Sequence, residues 1–160
     1  MRIIAPTAIV LDTRPLGLLT QRAGKAGGDA CRAWAASLDA VGCRFFVPEA
    51  ADYELRREFV RLGNTDAVSR LDFFNVSVSG LYPPLTTPDF RLAAQLWARV
   101  RNQGRMTAPP DALDADALIA AQAQRLNPAA FGLVSVVVAT ANVGHLSALT
   151  DAVLWSDIQP

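Results

Sequence analysis

The chain has 160 residues, with 15 acidic side chains balanced by 15 Lys and Arg, so it carries no net charge at pH 7. That argues against a protein that coats nucleic acid by bulk charge. Hydrophobic residues make up 51% and charged ones 19%, a globular composition rather than a disordered one.

A chain of this size buries about two-thirds of its unfolded surface, so it needs no disulfide or structural metal to fold. One domain is expected. The longest apolar run, "LVSVVVATA", is shorter than the roughly 18 residues of a membrane span. The start, "MRIIAPTAIVLDT", lacks the longer apolar core and cleavage site of a secretory signal. A cytoplasmic protein with no membrane partner is therefore expected. Cys31 and Cys43 are the only cysteines and His145 the only histidine. No zinc-binding spacing exists, and both thiols read as buried and free. Lys25 is the only lysine, so nearly all positive charge is arginine, whose planar fork suits phosphate.

In chain order, "TAIVLD" (7–12) reads as a short strand ending in a carboxylate. "GGDACRAWAASLDAVGC" (27–43) reads as a helix burying Ala30, Trp34, Leu38 and Val41. The Gly-rich, basic "TQRAGKAGG" (20–28) before it reads as the most flexible loop. "RFFVP" (44–48) is a second strand, stopped by Pro48. "EAADYELRREFVRLG" (49–63) is amphipathic, with Tyr53, Leu55, Phe59 and Leu62 near one face and Gly63 as its stop. "NTDAVSRLDFFNVSVS" (64–79) opens with capping residues and reads as a helix, and "LYPPLT" (81–86) as extended. "TPDFRLAAQLWARVRNQG" (87–104) has Pro88 in its first turn, then Leu92, Leu96, Trp97 and Val100, then Gly104. "PPDALDADALIAAQAQRL" (109–126) places Asp111, Asp114 and Asp116 before another helix. "GLVSVVVAT" (132–140) is a third strand, and the tail holds a short helix and an edge strand. This alternation predicts an α/β fold with a mainly parallel sheet and helices on both faces.

In such sheets, sites form at the carboxyl ends of the strands. Asp12 ends the first strand, Asp116 begins a helix, Asn142 follows the third strand, and Glu54 sits about two turns into the helix after the second. Each has a plain structural reading as a cap or a solvated helix charge. Together they form an oxygen-only set of the kind that Mg²⁺ and Mn²⁺ prefer. Residues 114 and 116 point about 200° apart on a helix, so Asp114 is expected to be the N-cap and Asp116 the site residue. His145 reads as a packing or capping residue.

At these positions the sequence resembles the PIN-domain nucleases, including the VapC toxins. The stretches that carry the resemblance are "IVLDT" (9–13), "VPEAADYELRRE" (47–58), "DADALIAAQA" (114–123) and "VVVATANVGHL" (136–146). The most specific element is Asp116 through Ala121. "PLTTPDFRLAAQLWARVRNQG" (84–104) and "LWSDI" (154–158) also look like one bacterial subgroup. The loop at 20–28 departs from the pattern, being longer than in compact members.

The resemblance implies a single PIN-like domain over residues 1–160, a three-layer α/β/α sandwich. It implies a ribonuclease that uses Mg²⁺ or Mn²⁺ to activate water. Asp12, Glu54 and Asp116 match the family's three acidic positions, Asn142 a fourth, and Thr140 a Thr or Ser near the metal. Arg14, Arg56 and Arg57, with Thr140, are the candidate residues on the substrate side. A toxin of this kind implies an RNA substrate, a small antitoxin partner and a homodimer. The alternative is a catalytically inactive PIN-like domain that binds RNA or protein; the intact acidic trio argues against it. A phosphatase of the haloacid dehalogenase type needs a second Asp two residues after Asp12, where Arg14 stands.

Overall fold

The computed structural model describes residue 1 and residues 6–77, 81–104 and 110–160, without the side chains of 77 and 110–113. The chain runs β1 (Thr7–Leu11), α1 (Thr13–Leu19), α2 (Ala26–Asp39), β2 (Arg44–Phe46), α3 (Glu49–Arg61) and α4 (Thr65–Ser77). It continues through α5 (Thr87–Asn102), α6 (Pro110–Arg125), β3 (Ser135–Thr140), α7 (Val143–Leu146) and β4 (Ala152–Leu154), with single 3₁₀ turns at Pro128–Phe131 and Trp155–Asp157.

The four strands form one sheet in the order β2-β1-β3-β4, and every pairing is parallel. All five residues of β1 are buried, as expected of a parallel strand covered on both faces. The chain leaves β1 towards β2 but leaves β3 towards β4, in opposite directions along the sheet. Right-handed crossovers, the rule for parallel strands, then place α1 and α2 on one face and the α3–α6 connection on the other. The crevice between the carboxyl ends of β1 and β3 is thus the topological switch point, where such sheets bind ligands.

Two apolar clusters hold these layers. The larger joins β1, β2 and β3 to Leu16, Trp34, Leu38, Leu71 and Ile119. The smaller lies between α5 and α6, where Ala93, Leu96 and Val100 meet Ala117, Ala120 and Ala121. Small side chains let these two helices approach closely. Trp34 Nε1 donates to the Ile158 carbonyl at 3.0 Å and packs edge-on against Phe45 and Trp155, which fastens the tail to the sheet.

Local signals explain most boundaries. The side chain of Asn64 accepts from the Ala67 N–H at 3.1 Å and caps α4. Thr86 and Asp89 form a reciprocal capping box on α5, with Pro88 in the first turn. Gly63 and Gly104 end α3 and α5 with φ of 62° and 67°, a left-handed conformation natural to glycine.

Several expectations are corrected. A seven-residue helix, α1, follows β1 even though Pro15 and Gly17 fall within it, residues that hide it in the sequence. The supposed loop at 20–28 is shorter: Gly27 and Gly28 lie in the first turn of α2. The buried face of α2 is Gly28, Cys31, Trp34 and Leu38, while Ala30 and Val41 are exposed. On α3, Tyr53 and Leu62 are exposed, and Ala50, Ala51 and Asp52 take the inner face. The helix expected over 64–79 has its last two residues outside the described ones. Cys31 and Cys43 are buried free thiols, and burial pushes the Cys31 thiol up to about 12. Among the described residues, no helix is long and apolar enough to cross a membrane.

Candidate active site

Asp12 leaves β1 and caps α1, and it is held at three points. Its backbone N–H donates to the Ala139 carbonyl at 3.0 Å. Its Oδ1 accepts from the Thr13 N–H at 2.7 Å, and its Oδ2 accepts from the Thr140 hydroxyl at 2.6 Å. Thr140 is fully buried at the end of β3, and its Oγ1 also accepts from the Asn142 N–H at 2.9 Å. Thr140 therefore joins the ends of β1 and β3 across the switch point and has no surface to offer a substrate. Burial pushes the Asp12 carboxyl up, the bonds from Thr140 and Thr13 pull it down, and Glu54 pushes it up again.

Asp116 arrives from α6. Ile119, Ala120 and Ala123, three, four and seven residues on, are all buried, and they fix the rotation of the helix so that Asp116 faces the crevice. Burial, then Asp12, then Glu54 raise the Asp116 carboxyl to about 7. Burial disfavours the charged form, and the neighbouring carboxylates add to that. The sequence reading of Asp114 as the N-cap is overturned: α6 begins at Pro110, so Asp114 lies inside the helix. It borders a separate apolar groove with Phe90, Ala93 and Trp97. Asp111 lies outside the described side chains.

Asp12, Thr13, Asp116, Asn142 and His145 share a cleft of about 870 Å³. His145 Nδ1 approaches Asp116 Oδ2 to 3.7 Å. The cleft continues along Gly17, Leu18, Leu55 and Phe59 to a basic rim of Arg14, Arg22, Lys25 and Arg70. Of that rim only Arg14 was singled out from the sequence. The basic character of the 20–28 stretch pointed to Arg22 and Lys25. No sequence signal marked Arg70, which is placed by its bond to the Thr20 carbonyl at 2.8 Å.

Glu54 stands apart from the lining. Its Oε2 accepts from the Thr13 hydroxyl at 2.6 Å, and its Oε1 lies 3.7 Å from the Arg57 guanidinium. Among the described residues, no three of His, Cys, Asp and Glu are gathered closely enough to hold a metal ion together. The oxygen donors of Asp12 and Asp116 suit a hard divalent cation, and the Asp116 carboxyl is raised by burial first and by the neighbouring carboxylates second. Those two residues fit such an ion, with Asn142 beside them; a shell of three carboxylates is not formed.

Arg56 does not reach the cleft. It makes two bonds to the buried Asp52, at 2.8 and 2.9 Å, and one to Asp72 at 2.7 Å. Asn75 donates to the same Asp52 at 2.7 Å, so the network clamps α3 to α4. The i,i+4 spacing of Asp52 and Arg56 is a sequence signal for that pair. Arg57 is half exposed and lies over the Tyr53 ring.

Neither a protein-family model nor a curated protein matches the chain. Among solved structures, a chain in the crystal structure of VapBC2 from Rickettsia felis bound to a DNA fragment from their promoter superposes with a TM-score of 0.62. The match covers 89% of this chain and 96% of that one, at 15% sequence identity. At that identity the likeness speaks for architecture: a PIN-like α/β fold, with helices flanking an all-parallel four-stranded sheet.

Proposed function

We propose that this chain is a metal-dependent endoribonuclease, acting as one PIN-like domain over residues 1–160, and the toxin of a toxin–antitoxin pair. The observation that carries the reading is the meeting of Asp12 and Asp116 in one cleft at the switch point, with the Asp116 carboxyl raised to about 7. Such a pair concentrates negative charge where a cation gains most. Asp12 and Asp116 would hold Mg²⁺ or Mn²⁺, and Asn142 would bind or orient water beside them. The ion, when bound, supplies Lewis acidity and offsets the charge that builds on a phosphodiester under attack by water. Thr140 and the Thr13 N–H hold Asp12 in one orientation. Arg14 and Lys25, exposed on the rim, are placed to meet RNA phosphates. The similar structure is of a VapBC2 complex, which supports a small antitoxin partner; a homodimeric, cytoplasmic toxin belongs to the same reading.

The test is cleavage of a fluorescent RNA by the purified chain in Mg²⁺, in Mn²⁺ and in EDTA. Cleavage is expected with either ion and not in EDTA. Asp12→Asn is expected to lower it by orders of magnitude while the protein stays folded by thermal melt. An Asp12→Asn chain that cuts at the wild-type rate sinks the assignment. RNA that is bound but left uncut in saturating Mn²⁺ favours the non-cutting binder.

A further inference from the structure

Glu54 is the third carboxylate near Asp12 and Asp116, yet it is Thr13, and not Glu54, that lines the cleft. Thr13 is bonded on both sides. Its N–H donates to Asp12 Oδ1 at 2.7 Å, and its hydroxyl donates to Glu54 Oε2 at 2.6 Å. Building on the metal-dependent reading above, we infer that Glu54 acts on the site through Thr13, as a positioning residue behind Asp12 rather than as a metal ligand.

Three observations agree. One Glu54 oxygen is taken by a short, charge-assisted bond, and the other faces Arg57. No third carboxylate joins a metal-holding group among the described residues. The bond also ties the first residue of α1 to the middle of α3, so it fixes the turn from which Asp12 projects. A carboxylate that orients the neighbour of a ligand works as an outer support, and such supports are worth about 10- to 100-fold in metal affinity or activity.

The test uses the full chain, with Mn²⁺ as the probe. Calorimetry reads Mn²⁺ affinity, and single-turnover cleavage of a fluorescent RNA reads the rate. Thr13→Val keeps the backbone N–H and the β-branched shape but removes the hydroxyl. It is expected to slow cleavage about 10- to 100-fold, with a loss of Mn²⁺ affinity well short of that of Asp116→Asn. Thr13→Ser, which keeps the hydroxyl, is expected to recover the rate to within about three-fold of wild type. The double variant Thr13→Val/Glu54→Gln is expected to be no slower than the slower single one, because both remove the same link. A Thr13→Val chain that cuts at the wild-type rate overturns the inference. So does a Glu54→Gln chain that loses as much Mn²⁺ affinity as Asp116→Asn, because Glu54 is then a ligand. If Thr13→Val does not fold, that calorimetric comparison decides alone. A wild-type chain that binds Mn²⁺ but cuts no RNA overturns the nuclease reading instead, and the same comparison still decides the role of Glu54. A wild-type chain that binds no Mn²⁺ overturns both.

Discussion

Asp116 pays for its position with its own ionisation, and that has a measurable consequence. Burial and the neighbouring carboxylates raise its carboxyl from an ordinary 3.8 to about 7. Between those values the folded state binds more protons than the unfolded one, so stability falls as pH rises from about 4 to about 7. Asp116→Asn removes the titrating group. In EDTA the variant is expected to be more stable than wild type at pH 7.5, by on the order of 1–2 kcal/mol, with a flatter melting profile across pH 4–7. Added Mn²⁺ is expected to reverse the ranking, because only the wild type binds it well. Chemical denaturation at four pH values, with and without Mn²⁺, measures both. A variant that tracks the wild type at every pH shows that the crowding of carboxylates is not felt at Asp116.

At the scale of elements, α6 decides where Asp116 points. Ala120 is fully buried between α6 and α5. Ala120→Leu is expected to destabilise by about 1–3 kcal/mol through overpacking, and to lower cleavage in the material that remains folded, by turning Asp116 away. Asp114, exposed in the same helix, is expected to tolerate Ala within about 0.5 kcal/mol, not to lose the roughly 1 kcal/mol of a cap. Comparing the two melts tests which residues set the helix. These elements also show what could be read beforehand. The strands announce themselves by β-branched runs, and α5 by its capping signals. Asp12, Asp116 and Asn142 were legible because each sits where a strand ends or a helix presents its first turns. The start of α6 was not, since "PPDALDAD" offers Asp caps at several positions. α1 was hidden by Pro15 and Gly17. Thr13 escaped notice because its partner Glu54 lies on another helix, and only the packing of α1 on α3 brings them together. Arg56, a candidate for the RNA backbone by its place beside Glu54, is matched instead by Asp52 one turn earlier.

For the whole molecule, neutrality constrains how RNA can be held. With acidic and basic residues in equal number, bulk charge does not draw RNA in, and the cations lining the cleft are Arg14, Arg22, Lys25 and Arg70. Arg22 is already paired with Asp66, and Arg70 spends a donor on the Thr20 carbonyl. Only a few phosphates can therefore be neutralised on binding. For a single strand, each contributes about −0.7 to the slope of log K against log salt, so three or four contacts give a slope of about −2 to −3. Fluorescence anisotropy of a single-stranded RNA, bound to the Asp116→Asn chain at several salt concentrations, measures it. Removing Arg14 with Arg14→Ala is expected to make the slope shallower by about 0.7, whereas Arg56→Ala is expected to leave it unchanged and to lower stability instead, because the buried Asp52 loses its ion-pair partner among the described residues and keeps the neutral Asn75 bond. A slope steeper than about −5 means that RNA runs far beyond this rim, over a surface whose arginines are paired in the free protein and released on binding.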